Sequence, residues 1–115
     1  IGISVNYGTM KRRGFSPYGP SKAAFESASA IWAQDLSDAQ IRVNLLLPGG
    51  ATDTGMVPPE TPEHVRSHFL PPEIVQAPAV FLASDESQAL TGRRLIANEW
   101  SPEHPDGKAI LEGIE

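Results

Sequence analysis

Apolar positions along the chain fall into three short runs and three periodic stretches. Ile1 to about Val5 is apolar, β-branched and bounded by Asn6 and Gly8, which predicts a short buried strand. "IRVNLLLP", Ile41 to Pro48, is nearly continuous in apolar character and predicts a strand of a parallel sheet covered on both faces. "RRLIAN", Arg93 to about Asn98, predicts a last strand entered through the turn "LTG". From about Pro17 to Leu36 the period changes: Tyr18, Lys22, Phe25, Ser29 and Trp32/Ala33 recur at spacings of three and four, the signature of a helix. Ser16 suits its N-cap and Pro17 its first position, and Pro20 is tolerable within the first turn. Ala23, Ala24, Ala28 and Ala30 suit close packing on a sheet or a partner helix. "TPEHVRSHF" predicts a short helix with Thr61 as N-cap and Pro62 at the first position. "PPEIVQAPAVFLASD" predicts another from about Pro72 to Ala83.

The order strand, helix, strand, helices, strand implies parallel strands with right-handed crossovers, and so half of a doubly wound α/β sheet. Such sheets bind ligands beyond the carboxyl ends of their strands. The loops there are "NYGTMKRRGF" and "PGGATDTGM", and Tyr18 follows the first directly. Residues 101–115, rich in Pro, Glu, Asp and Gly, read as a loose tail. A strand at Ile1 with no lead-in reads as a chain joined partway through a longer one.

Composition narrows the classes. A length of 115 residues allows one core. A net charge of −5 without a basic block argues against nucleic acid or an anionic membrane as partner. The absence of cysteine removes disulfides and thiolate metal sites. No apolar run approaches the roughly 20 residues of a membrane span, and no signal-peptide pattern opens the chain, so a cytoplasmic location is expected. His64 and His68 have the spacing of a metal pair, but no third ligand is evident, and a solvated helix with no metal is expected. Lys11, Arg12 and Arg13 read as a solvated loop, with contact to an anionic substrate as the sharper alternative.

Chemistry enters at "SPYGPSKAA", Ser16 to Ala24. Tyr18 and Lys22, four apart, share a helix face. A free phenol, with a pKa of about 10, is a poor base at neutral pH. An ammonium group a few ångströms away favours the phenolate. A tyrosine in that setting can take a proton from an alcohol or give one to a carbonyl oxygen.

From Ile1 to about Trp100 the chain resembles the carboxyl-terminal half of the short-chain dehydrogenase/reductase family. Four features carry the resemblance in the family's order: "ISVNYG", "YGPSKAA", "IRVNLLLPGGATDTGM" and "FLASDESQALTGRRL". The resemblance implies a Rossmann-like doubly wound sheet, of which residues 1–115 form the carboxyl-terminal part of one NAD(P)-binding domain. It implies Tyr18 as catalytic acid/base, and Lys22 as the cation that favours its phenolate and bonds the nicotinamide ribose. Pro48, Gly49 and Ala51 would pack on the nicotinamide of NAD or NADP, and Thr52 or Thr54 would hold its carboxamide or diphosphate. The stretch around Thr61 to Phe69 would be a mobile lid. A homodimer or homotetramer acting on a small alcohol or carbonyl is implied as well.

One departure stands out. The family usually carries a serine thirteen residues before the tyrosine, bonded to the substrate oxygen, and here that position is Val5. Three readings remain open: a bulge that turns Ser4 in as the catalytic serine, Asn6 supplying the polar contact, or a weakened site. The family's "G-x-G-x-x-G" phosphate loop does not occur in the chain. The expected function is therefore NAD(P)-dependent alcohol–carbonyl oxidoreduction. The alternative is a catalytically weakened, nucleotide-binding relative with a regulatory or assembly role. A sugar-nucleotide epimerase shares Y-x-x-x-K but does not fit "PGGATDTGM" or the short "FLASD…LTG" ending.

Overall fold

Four short strands form one sheet in the order β1-β2-β3-β4, in a computed structural model that describes residues 1–113. Strand β1 spans Gly2–Ile3, β2 Leu45–Leu47, β3 Arg93–Ile96 and β4 Ile110–Glu112. The first three run parallel, with Gly2 opposite Leu45 and Leu45 opposite Arg94. The mostly parallel sheet with helical crossovers is the expected Rossmann-like arrangement. β1 and β2 are joined through helices α1 (Tyr7–Met10) and α2 (Tyr18–Asp35), and β2 and β3 through α3 (Glu63–Arg66) and α4 (Gln76–Ala83).

Strand alternation gives the sheet two unlike faces. Leu46 and Leu95, paired across β2 and β3, point to the α4 side and pack with Phe81, Leu82 and Ala97. Ile74, Val75 and Trp100 close this core, and the Phe81 and Trp100 rings lie 5.6 Å apart. Burying each such side chain stabilises the fold by roughly 1.5–3 kcal/mol. The other face meets α2. A Cβ on Gly2 would come within 2.5 Å of the Phe25 ring, so only glycine lets α2 sit this close to β1.

The strands are shorter than the apolar runs that announce them. Before β2, Arg42 bonds the Ser87 carbonyl and hydroxyl at 2.7 and 2.6 Å, and Asn44 bonds the Leu90 carbonyl at 2.8 Å. Side chains thus replace part of the ladder there. The expected helix over Pro72–Ala83 divides into a 3₁₀ turn, Pro72–Val75, and α4. The predicted cap of α2 is corrected. Ser16 makes no capping bond, and the helix opens at Tyr18 after a cis Ser16–Pro17 peptide. Backbone carbonyls do the capping: Gly19 N–H bonds Phe15 at 2.6 Å, Ser21 N–H bonds Pro17 at 3.0 Å, and Pro20 has no N–H to satisfy. Pro62 likewise stands at the cap position of α3, one residue later than expected.

The expectation of a loose tail over 101–115 is corrected at β4, while 114–115 lie outside the described residues. Ile110–Glu112 add to the sheet antiparallel to β3, with Ile96 N–H bonding the Ala109 carbonyl at 2.9 Å. Three residues are too few to show alternation in sequence. Arg93 and Glu112 form an exposed ion pair across the two strands. The hydrogen bond and charge of Arg93 hold the Glu112 carboxyl below its usual 4.5, and Glu112 raises Arg93 in turn. A carboxyl depressed in the folded state adds stability above its unfolded pKa, and that stability disappears as pH falls through the depressed value. Glu112→Gln is therefore expected to speed amide exchange in β4 at neutral pH, with variant and wild type converging in acid. Equal exchange at neutral pH would remove the pair from the reasons β4 docks.

Candidate functional site

Where β1 ends, the chain turns through Val5 and Asn6 into α1, then loops to Tyr18 at the first turn of α2. Helices α1 and α2 are seated on each other at Gly19, where an added Cβ would stand 2.1 Å from the Met10 carbonyl oxygen. Tyr18 is half-buried, 6.3 Å from the Phe15 ring centre to centre. One turn on, the Lys22 ammonium lies 5.9 Å from the Tyr18 ring centroid and donates to the Ile3 carbonyl at 2.8 Å. The pair predicted from spacing is thus assembled at the end of β1.

A second turn along the same face stands Glu26, 1 % exposed. Its carboxylate accepts a hydrogen bond from the Ser4 hydroxyl, itself fully buried. Arg94 of β3, 3 % exposed, brings Nε to 3.2 and 3.0 Å from the two carboxylate oxygens. Its terminal NH2 donates to the Val5 carbonyl at 3.1 Å, and its guanidinium stacks 3.8 Å from the Tyr7 ring centroid. Arg94, Leu45 and Gly2 share a register row, so Ser4, two residues after Gly2, faces α2 with them. The Ser4 hydroxyl thus bonds the Glu26 carboxylate, while the residue also borders the cavity between the two loops. Asn6 is exposed, with Nδ2 3.5 Å from the Gly49 carbonyl.

The second loop leaves β2 at Pro48. Gly49 has φ of +99°, a left-handed conformation, and a Cβ there would meet the Asn98 side-chain oxygen at 1.9 Å. Asn98 N–H also bonds the Pro48 carbonyl at 3.1 Å, which fixes the turn against the end of β3. The segment from Ala51 to Leu70 is closed at its base by Leu70 N–H to Ala51 and Asp53 N–H to Leu70, at 2.8 and 2.9 Å. Arg66 reaches back to Asp53 at 3.5 Å. α3 rides on this closed loop, where His68 Nδ1 lies 2.8 Å from the His64 carbonyl.

Between the two loops opens a cavity of about 840 Å³. Ser4, Asn6, Tyr18, Pro48, Gly49, Ala51, Thr52 and Thr54 all border it, whereas Lys22 is outside the lining. Both threonines make only local bonds, Thr52 to the Gly50 carbonyl at 3.2 Å and Thr54 from Met56 N–H at 3.3 Å. The far wall is apolar, from Met56, Val57, Phe69 and Val75, and Phe15 adds an apolar surface beside Tyr18. Arg12 is the one charged side chain on the wall among the described residues, 5.2 Å over the Phe15 ring. The volume matches small-molecule sites, which run to roughly 300–1,000 Å³ and are mostly apolar with a few polar groups.

A family model described as enoyl-(acyl carrier protein) reductase matches residues 1–99. The chain belongs to the short-chain dehydrogenase/reductase family. It is 35 % identical over 105 residues to an uncharacterized oxidoreductase of Mycobacterium tuberculosis, covering 83 % of this chain and 39 % of that protein. It is 33 % identical over 102 residues to the 3-oxoacyl-[acyl-carrier-protein] reductase FabG of Thermotoga maritima, covering 81 % and 41 %. Against the 2,5-dichloro-2,5-cyclohexadiene-1,4-diol dehydrogenase LinX of Sphingobium indicum it is 34 % identical over 110 residues, covering 88 % and 44 %. Among solved structures, the angucycline C-6 ketoreductase LanV with bound NADP superposes at a TM-score of 0.64 and 29 % identity, covering 83 % of this chain and 40 % of that one. The chain thus spans about two fifths of the length of these short-chain dehydrogenase/reductase relatives.

Glu26, Arg94, Tyr7 and Asn98 were not singled out by sequence reasoning, although two carried a signal. Glu26 falls on the Tyr18–Lys22 face, eight residues beyond Tyr18, and Arg94 interrupts an apolar strand. A charge at a core-facing position needs a partner, and each supplies the other's. Arg94→Met is expected to destabilise the protein by about 3–5 kcal/mol, since it strands a buried carboxylate. Glu26→Leu combined with Arg94→Met should recover most of that loss in denaturant melts. A single variant as stable as wild type would show that the pair contributes nothing.

Proposed function

We propose that this chain forms the carboxyl-terminal part of an NAD(P)-dependent oxidoreductase that interconverts an alcohol and a carbonyl. The observation that carries the reading is the shared cavity. It has Tyr18 on one side and the Pro48–Thr54 loop on the other, with the Lys22 ammonium 5.9 Å from the Tyr18 ring centroid. The relatives' names, a 3-oxoacyl-[acyl-carrier-protein] reductase, a diol dehydrogenase and a ketoreductase with bound NADP, support that reading.

The residues present fit the nicotinamide end of such a cofactor. Pro48, Gly49 and Gly50 border the cavity as a tight turn held against Asn98, with no large side chain of their own to block a flat ring. Ala51 adds a small apolar contact, and Thr52 or Thr54 offers a hydroxyl to a carboxamide or a phosphate. When bound, the cofactor supplies or accepts the hydride. Tyr18 holds the proton that goes to the carbonyl oxygen in reduction, and accepts it from the alcohol in oxidation. Lys22 carries three N–H donors, of which one anchors it on Ile3, leaving others for ribose hydroxyls. The apolar far wall favours a substrate with an apolar body.

A second reading, a nucleotide-binding relative with little catalysis, is favoured by one observation. Val5 stands at the usual serine position, and the nearby Ser4 hydroxyl is taken by Glu26. Tyr18→Phe separates the two readings, measured in the full protein on a carbonyl substrate found by screening. Turnover is expected to fall by roughly 10²–10⁴-fold while cofactor affinity, read by fluorescence titration, stays nearly unchanged. Lys22→Ala should weaken cofactor binding as well as turnover. Near-normal turnover in Tyr18→Phe would end the acid/base assignment in favour of the binding protein.

The homo-oligomer belongs to the same proposal. Ile31 and Trp32 on the outer side of α2 are 53 % and 46 % exposed, apolar surface that a second copy of α2 would cover across a two-fold axis. Trp32→Glu is then expected to halve the mass of the full protein in light scattering, and an unchanged mass would count against this face.

A further inference from the structure

Reduction of a carbonyl leaves negative charge on its oxygen until the proton arrives, and a second fixed donor beside Tyr18 would stabilise that charge. The hydroxyl nearest in sequence, Ser4, is fully buried and bound to the Glu26 carboxylate. Two residues on, Asn6 is exposed at the carboxyl end of β1 and borders the cavity with Tyr18 and Gly49. The residues on both sides of it are held by one guanidinium. Arg94 bonds the Val5 carbonyl at 3.1 Å and stacks on Tyr7 at 3.8 Å. Its own position is set by the buried ion pair with Glu26. On the inner side, the Asn6 carbonyl is occupied by the amides of Thr9 and Met10, at 2.9 and 3.2 Å. That leaves the carboxamide free apart from its long, 3.5 Å contact with the Gly49 carbonyl. A substrate oxygen can displace so weak a contact at little cost.

We propose that Asn6 is the substrate-oxygen donor of this site. The inference rests on the oxidoreductase reading. In the reductive direction a hydride from a reduced nicotinamide adds to the carbonyl carbon and the C–O π bond breaks. The electron pair moves to oxygen, which receives the Tyr18 proton while the Asn6 Nδ2–H group donates a hydrogen bond to it. In the reverse direction the same bond orients the alcohol. Asn6 takes the work expected of a serine because Ser4 faces α2 and is consumed in the clamp.

The test uses the full protein, the screened carbonyl substrate, and three variants alongside Tyr18→Phe. Asn6→Asp keeps shape and the ability to stand before α1 but offers no donor at neutral pH, whereas Asn6→Ser keeps a donor. The expected result is a kcat lower by roughly 10²–10³-fold in Asn6→Asp and Asn6→Ala, with partial recovery in Asn6→Ser. Cofactor affinity and melting temperature should stay close to wild type in all three. A role confined to capping α1 predicts the opposite, with Asn6→Asp tolerated. Wild-type kcat in Asn6→Asp or Asn6→Ala, with Tyr18→Phe inactive, would overturn the Asn6 assignment alone. Normal turnover in Tyr18→Phe, or none in the wild type on any carbonyl compound, would overturn it together with the oxidoreductase reading.

Discussion

A carboxylate and a guanidinium buried together between α2 and β3 organise this half of the molecule. Removing two charges from water costs several kcal/mol per ion, and mutual attraction offsets that only when the remaining polar atoms are also bonded. Here the bonds come from four elements. Ser4 donates from the end of β1, the Val5 carbonyl accepts, Tyr7 of α1 covers the guanidinium face, and the pair itself links α2 to β3. Such a device contributes geometry more than net stability, because apolar residues of similar volume could fill the same space.

The geometry it sets is that of the cavity rim. Tyr18, Lys22 and Glu26 stand on successive turns of α2, so fixing Glu26 against β3 also fixes the height of Tyr18 over the end of β1. The Lys22 ammonium reaches the same strand end at Ile3. The neighbouring loop is fixed separately, through the left-handed Gly49 and the backbone of Asn98. Two independently braced loops therefore face each other across one cleft, as expected where parallel strands end.

The two faces of the sheet divide these duties. On the α4 side, Leu46, Leu95, Phe81 and Leu82 make an apolar core closed by Trp100. On the α2 side, small and polar residues dominate: Gly2, Ser4, Ser29 and Ala33 beside Glu26 and Arg94. Stability resides mainly in the first face. The second gives α2 its docking position through the buried Glu26–Arg94 pair.

The sequence by itself determined the class of the fold and the pairing of Tyr18 with Lys22 beside its first loop. Strand and helix periods differ, so the order of elements was legible, and Tyr18 and Lys22 could be paired because helix spacing is local. The loop from Pro48 to Thr54 was legible from its glycines and its place after an apolar strand. What only the tertiary structure decided was everything that depends on partners far along the chain. Glu26 and Arg94 lie 68 residues apart, and no local pattern shows that one needs the other. β4 was hidden because three residues pair with a strand already complete in its own pattern. The fate of Ser4 was hidden for the same reason. Its strand register was readable, but whether the inward face led to a substrate or to a buried carboxylate depended on what α2 placed opposite it.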